Sequence, residues 1–226
     1  MALKSINISG NFDWCPFEEY KNYLICFNSH NLLYSNNGSL NNYTYLLDIN
    51  LNSDIRSLDI VHKLNFEEAL SRENNKSNKT SSNEYVTSFE WINCNNFVES
   101  ENENELNKGI IIGGLTNGNI ILLNAQNLFD TNCVNYDNFI LSQSNIHESS
   151  INCLECNKHK NNLIATGGND GQLFIIDIEN IFSPTSYDPY LDKNNLQKIT
   201  CLNWNKKVSH ILATSSNNGN TIIWDL

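Results

Sequence analysis

Cys153 and Cys156 stand three residues apart with His147 and His159 close by, residue types that could hold zinc or exchange thiol and disulfide. Their surroundings argue against both. The run Ile151-Asn152-Cys153-Leu154-Glu155-Cys156 reads as a strand, and residues three apart on a strand point to opposite faces, so both thiols read as core. Gly167-Gly168-x-x-Gly171 has the glycines of a dinucleotide loop but no helix after it, and reads as a turn. Glu101, Glu103 and Glu105 form a solvated run rather than an acid/base pair. His147 reads as a buried hydrogen-bonding residue, and His210 as one leading into a strand. No serine, histidine and aspartate set has local motif support, so the sequence predicts no enzyme, cofactor or metal.

The 226 residues carry 25 acids against 14 Lys and Arg, a net charge of −11, and include 43 Asn and only three Pro. That charge repels phosphate backbones and anionic lipid, so binding to bare nucleic acid is disfavoured. No apolar run approaches the roughly 18 residues a membrane span needs. Residues 1–10 lack a basic end followed by an apolar run, and the seven scattered Cys have no framework spacing. The expectation is a cytoplasmic chain with free thiols.

Self-similarity organises the chain. Val86-Thr87-Ser88-Phe89-Glu90-Trp91, Ile151-Asn152-Cys153-Leu154-Glu155-Cys156 and Ile199-Thr200-Cys201-Leu202-Asn203-Trp204 superpose column by column. Each is followed by two more apolar segments, within 111–123, 164–176 and 212–224, joined by a turn whose glycines (Gly118, Gly171, Gly219) align. Five residues after these glycines stand Leu123, Ile176 and Trp224, then Asn124, Asp177 and Asp225. The glycines are 53 and 48 residues apart, a little above the roughly 40–45 of a four-stranded propeller blade. Short β-branched runs broken by Asn-Asp-Gly or Asn-Asn-Gly predict strands and tight turns, not helices. A weaker first unit runs from Phe12-Asp13-Trp14 through Tyr23-Leu24-Ile25-Cys26-Phe27 to Tyr43-Thr44-Tyr45-Leu46-Leu47-Asp48. The fold expected is all-β, a propeller with about four blades at 1–60, 84–130, 147–182 and 196–226, and polar, disordered inserts at 71–83 and 95–108. Trp14, Trp91, Trp204 and Trp224 are expected in its core.

The run from His147 through Ile151 and Ile164-Ala-Thr-Gly-Gly-Asn-Asp170-Gly171 to Asp177 resembles a WD repeat, as does Ile222-Ile223-Trp224-Asp225. In that family a His, a strand Ser or Thr, a turn Asp and a strand Trp form a hydrogen-bonded chain. The resemblance assigns these structural roles to His147, Thr166 and Asp170 in the third unit, where Ile176 replaces Trp. In the fourth it assigns Trp224, with Asn218 in place of Asp; Asp177, Trp204 and Asp225 complete the WD-type set. The run 199–216 with the ending Ile-Trp-Asp-Leu226 is similar to the amino-terminal propeller of the larger outer-coat subunit of the COPII vesicle coat, the Sec-thirty-one family. So are 111–123, 162–168 and the opening with Trp14.

That resemblance implies a seven-bladed ring of which about four blades are present, with the first strand, near residues 4–8, completing a last blade beyond Leu226. It implies a scaffold for endoplasmic reticulum to Golgi transport that makes cage-vertex contacts at exit sites. The implied partners are a smaller outer-coat propeller subunit and other coat propellers, with the membrane reached only through the coat. Four blades of seven would leave two sheet faces uncovered, an association hazard that predicts poor solubility. A WD-repeat adaptor gripping a peptide in another pathway is the alternative.

Overall fold

Gly118, Gly171 and Gly219 adopt φ of 88°, 78° and 87°, the left-handed region that a β-carbon disfavours, and each closes the turn between the second and third strands of its unit. The computed structural model describes residues 4–6, 8, 10–28, 42–49, 58–66, 68–70, 84–94, 106–130, 139–190 and 195–226. These form four antiparallel sheets, each in chain order. The first holds β1 (Asn11–Trp14), β2 (Tyr23–Phe27), β3 (Tyr43–Asp48) and β4 (Asp59–Asn65). The second holds β5 (Val86–Ile92), β6 (Ile110–Leu115), β7 (Asn119–Asn124) and β8 (Ile140–Asn145). The third holds β9 (Ile151–Cys156), β10 (Leu163–Gly168), β11 (Leu173–Asp177) and β12 (Thr185–Tyr187), and the fourth β13 (Ile199–Trp204), β14 (Ile211–Ser216) and β15 (Thr221–Asp225).

Alternation along the strands gives each sheet a face toward the preceding sheet and one toward the next. Trp91, Ile111, Ile121 and Leu123 of the second sheet meet Ile25, Phe27, Leu46 and Leu64 of the first. On its other face Ile110, Ile112, Ile120 and Leu122 meet Leu154, Cys156, Ile164 and Ile176 of the third. Ala165, Leu173 and Ile175 then meet Leu202, Trp204 and Leu212 of the fourth. Covered on both sides, β6 and β7 are buried at every residue, as continuous apolar runs require. Among the described residues no core cluster joins the fourth sheet to the first, so the blades form an open array.

Glycine also sets how closely the sheets approach. A β-carbon on Gly114 would lie 2.6 Å from Cγ2 of Ile151, and one on Gly167 would lie 2.5 Å from Cγ2 of Ile199. Each isoleucine opens the inner strand of the next blade, seated where the preceding blade has no side chain.

Several expectations are corrected. Trp14 occupies the column of Trp91 and Trp204, both 3% exposed, yet is itself 50% exposed because none of the described sheets covers the first blade's backward face. Phe12 and Ile60 are exposed on that face too, and Ile6 and Ile8 pack over its Cys26, Tyr45 and Leu47. Ser5, Ile6 and Ile8 thus lie against the first sheet rather than completing a last blade, with the Ser5 carbonyl accepting from the Leu58 N–H at 3.4 Å. The second and third units run past 130 and 182, because β8 and β12 are outer strands with little apolar pattern. The insert drawn at 95–108 is shortened at its end: Leu106 is buried and the Lys108 ammonium sits 3.1 Å from the centre of the Tyr20 ring. Residues 71–83 and 95–105 lie outside the described residues.

Candidate functional site

The turn after β10 gathers the third blade's polar residues. Asp170 accepts from the N–H of Gln172 through Oδ1 and from that of Glu148 through Oδ2, both at 3.0 Å. Its oxygens lie 3.0 and 2.9 Å from His147 Nδ1, so that nitrogen carries a proton and donates to the carboxylate. His147 Nε2 lies 3.0 Å from Thr166 Oγ1 on β10. His147 is 1% and Thr166 0% exposed. The imidazole stands edge-on to Phe174, with ring centres 4.8 Å apart. A β-carbon on Gly168 would come within 2.5 Å of both Asp170 Oδ1 and His147 Nδ1, so the network closes only around glycine. Burial raises the Asp170 pKa, but the His147 hydrogen bond, the two backbone N–H groups and the attraction of His147 together hold it below the ordinary carboxylate value.

The chain of bonds stops at Thr166 because Ile176, in the tryptophan column, brings no donor. In the fourth blade the other half is present. Trp224 Nε1 donates to Thr214 Oγ1 at 2.9 Å, and Thr214, 4% exposed, occupies the column of Thr166. Thr214 was missed as a site residue, although Leu163-Ile164-Ala165-Thr166 and Ile211-Leu212-Ala213-Thr214 show the correspondence in sequence. Asn218 stands where the third blade has Asp170, and its Oδ1 accepts from Ser216 Oγ at 2.6 Å and from the Asn220 N–H at 3.0 Å, a closed local turn. Trp224 remains half-buried, edge-on to Tyr190.

The remaining site residues have separate partners. Asp177 Oδ1 accepts from Asn162 Nδ2 and from the Glu179 N–H, each at 2.9 Å. Asp225 is exposed, with Oδ1 3.6 Å from His210 Nε2. Trp204 donates its backbone N–H to Glu155 Oε2 at 2.6 Å and its indole N–H to the Glu155 carbonyl at 3.1 Å, so Glu155 is a second residue the sequence reading passed over. Cys156 packs between the second and third sheets and Cys153 between the third and fourth, and burial pushes both thiols up to about 12. Among the described residues no group of three or more His, Cys, Asp and Glu could hold a metal ion. The arrangement ties strands to strands and blades to blades.

No protein-family model matches the chain. It is 36% identical over 84 residues to protein transport protein Sec31A of Danio rerio, a stretch covering 37% of this chain and 6% of that protein. It is 36% identical over 88 residues to protein transport protein sec31 of Aspergillus niger, covering 39% and 6%. The chain therefore matches only a small part of the length of these relatives. Among solved structures, a chain of "COPII on membranes, outer coat vertex" superposes with a TM-score of 0.59 at 19% identity, over 90% of this chain and 44% of that one. A chain of "The structure of the COPII coat assembled on membranes" gives the same score over 90% and 24%. At that identity the superposition speaks for the fold, an array of propeller blades, and the sequence match is a local likeness to Sec31 proteins.

Proposed function

We propose that the chain is a structural component of a COPII-type vesicle coat, a rigid propeller body that meets other propellers at cage vertices in transport from the endoplasmic reticulum. The observation that carries this is the coincidence of two independent likenesses, in sequence to Sec31 proteins and in fold to a chain of the outer-coat vertex. The chemistry supports it: the polar clusters hold strands together, the Thr166 hydroxyl beside His147 is fully buried, where a substrate does not reach it, and no described group of His, Cys, Asp and Glu could hold a metal ion. Such a body works by geometry, because weak contacts repeated around a cage add through multivalency. The partners of this reading are a smaller outer-coat propeller subunit and further coat propellers, and the location is the cytoplasmic face of exit sites.

A peptide-binding adaptor is the second reading, favoured by a cleft beside the fourth blade lined by Tyr190, Gln197, Thr214, Ser216, Asn218 and Ile222. One experiment separates the two. The complete protein, fluorescently tagged, should gather in puncta with coat markers at exit sites and co-sediment with coat assembled on liposomes. A diffuse distribution and no co-sedimentation would remove the coat reading.

A further inference from the structure

The inner strand of every blade is an edge, since β1, β5, β9 and β13 each have a neighbour in their sheet on one side only. Along such a strand alternate N–H groups point away from the sheet and need another partner. Cys15, Asn157 and Asn205 turn their N–H inward to the carbonyls of Tyr23, Leu163 and Ile211. The preceding residue in each case, Trp14, Cys156 or Trp204, therefore presents its N–H at the free edge. A carboxylate meets each one, and across blades it always comes from the residue just before that column in the preceding blade. Asp13 Oδ2 accepts from Trp91 at 2.8 Å, Glu90 Oε2 from Cys156 at 2.5 Å, and Glu155 Oε2 from Trp204 at 2.6 Å. The second oxygen is also engaged: Asp13 Oδ1 by the N–H of Trp14 at 2.8 Å, Glu90 Oε1 by the Lys158 ammonium, and Glu155 Oε1 by Asn203 Nδ2 at 2.9 Å.

We propose that Asp13, Glu90 and Glu155 are the positioning residues that couple the blades in series, each carboxylate capping the free inner edge of the following blade and fixing where that blade docks. The apolar faces alone leave this unspecified, since burial is non-directional, whereas a carboxylate accepting a backbone N–H is short and directional. The column recurs as Asp13-Trp14, Glu90-Trp91, Glu155-Cys156 and Asn203-Trp204. Each junction has its own acid, so removing one loosens one junction.

Amide hydrogen exchange resolved to single residues tests this on the whole chain. Glu155→Ala should speed exchange at the Trp204 amide by about tenfold or more, the loss of one such bond. The effect should spread through 199–225 and leave 11–92 as it was. Glu90→Ala should do the same at Cys156, and Glu155→Gln, which keeps an acceptor oxygen, should restore most of the protection at Trp204. A folded Glu155→Ala chain that protects Trp204 as before, or faster exchange spread evenly over all four sheets, overturns the proposal. Should Glu155→Ala not fold, the unmodified chain decides. The amide proton of Trp204 should shift as Glu155 titrates, with Glu90, Lys158 and Lys206 the charged groups facing it, and a resonance that stays still through that titration overturns the proposal too.

Discussion

Replacing Asp170 by alanine removes the acceptor of three donors at once: His147 Nδ1 and the N–H groups of Gln172 and Glu148. Glu148 is exposed, so its N–H recovers a water and counts for little. His147 is 1% exposed and the Asp170 side chain 7%, so the imidazole is left inside without its partner. Hydrogen bonds to a charged group contribute about 1.5–3 kcal/mol each, and breaking a buried pair by removing one member costs about 3–5 kcal/mol. We expect Asp170→Ala to lose about 3–5 kcal/mol, a fall in Tm of about 6–20 °C for a chain of this size. Asp170→Asn keeps one acceptor oxygen and should lose roughly half as much. Urea unfolding followed by tryptophan fluorescence and near-ultraviolet circular dichroism measures both. The pH dependence adds a check. The folded Asp170 pKa lies below its unfolded value, so its contribution is complete above the ordinary carboxylate range and is lost as pH falls through the depressed folded value. The gap between wild type and Asp170→Asn should close on acidification. A loss below about 1 kcal/mol for Asp170→Ala, or a gap indifferent to pH, would show that the network does not hold the third blade.

Two of the carboxylates between blades, Asp13 and Glu155, should behave with the opposite sign. Burial raises the pKa of Asp13 and of Glu155 despite the backbone N–H groups that pull them down, so their ionisation weakens the fold as pH rises from the ordinary carboxylate range through the raised folded values. The stability of wild type relative to Glu155→Gln, read from urea midpoints, should therefore increase as pH falls through that window. In the fourth blade Trp224→Phe and Thr214→Val should each cost about 1 kcal/mol, and the double variant little more than either, since both delete one bond. Gly114→Ala should cost about 1–3 kcal/mol by pushing Ile151 from its seat. At Gly219, where a β-carbon would meet nothing within 4 Å, alanine should cost only the backbone strain of its positive φ, about 1–2 kcal/mol. Thermal melts rank these variants.

The architecture was legible because its columns are covalent facts. Short apolar strands on either side of an aligned glycine predict a tight turn between paired strands, and the glycines 118, 171 and 219 are the turn glycines of three sheets. Outer strands were not legible: Ile140-Leu141-Ser142-Gln143-Ser144-Asn145 and Thr185-Ser186-Tyr187 pair on one side and bury little, so hydrophobic period says nothing about them. Trp14 shows the second limit. Its column is that of a core residue, but burial belongs to the neighbouring sheet, and among the described residues Ile6, Ile8 and Leu58 are what lies over the apolar middle of the first sheet's backward face. Glu90 and Glu155 were passed over for a third reason: an acid alternating with apolar residues on a strand looks solvated, and only the tertiary placement of the next blade's inner edge turns it into a cap.

Stiffness, the property the proposed vertex role would need, then has a local origin. Each junction between blades combines an apolar face, and those ahead of Ile151 and Ile199 add a glycine seat, while the caps on Trp91, Cys156 and Trp204 add a directional bond. Since the core clusters of the described residues join each blade to its neighbours, stability is close to a sum of blade terms and junction terms, as in other repeat arrays. The WD-type bonds belong to the blade terms: in the third blade they run from Asp170 to Thr166, in the fourth from Trp224 to Thr214, and neither blade has both halves. With Glu155 holding Trp204 through both its backbone and its indole N–H, the third and fourth blades are tied at their junction even though each has only half of the WD-type network. Directional junctions between the blades thus let the array hold a fixed outline even where a blade's own network is incomplete.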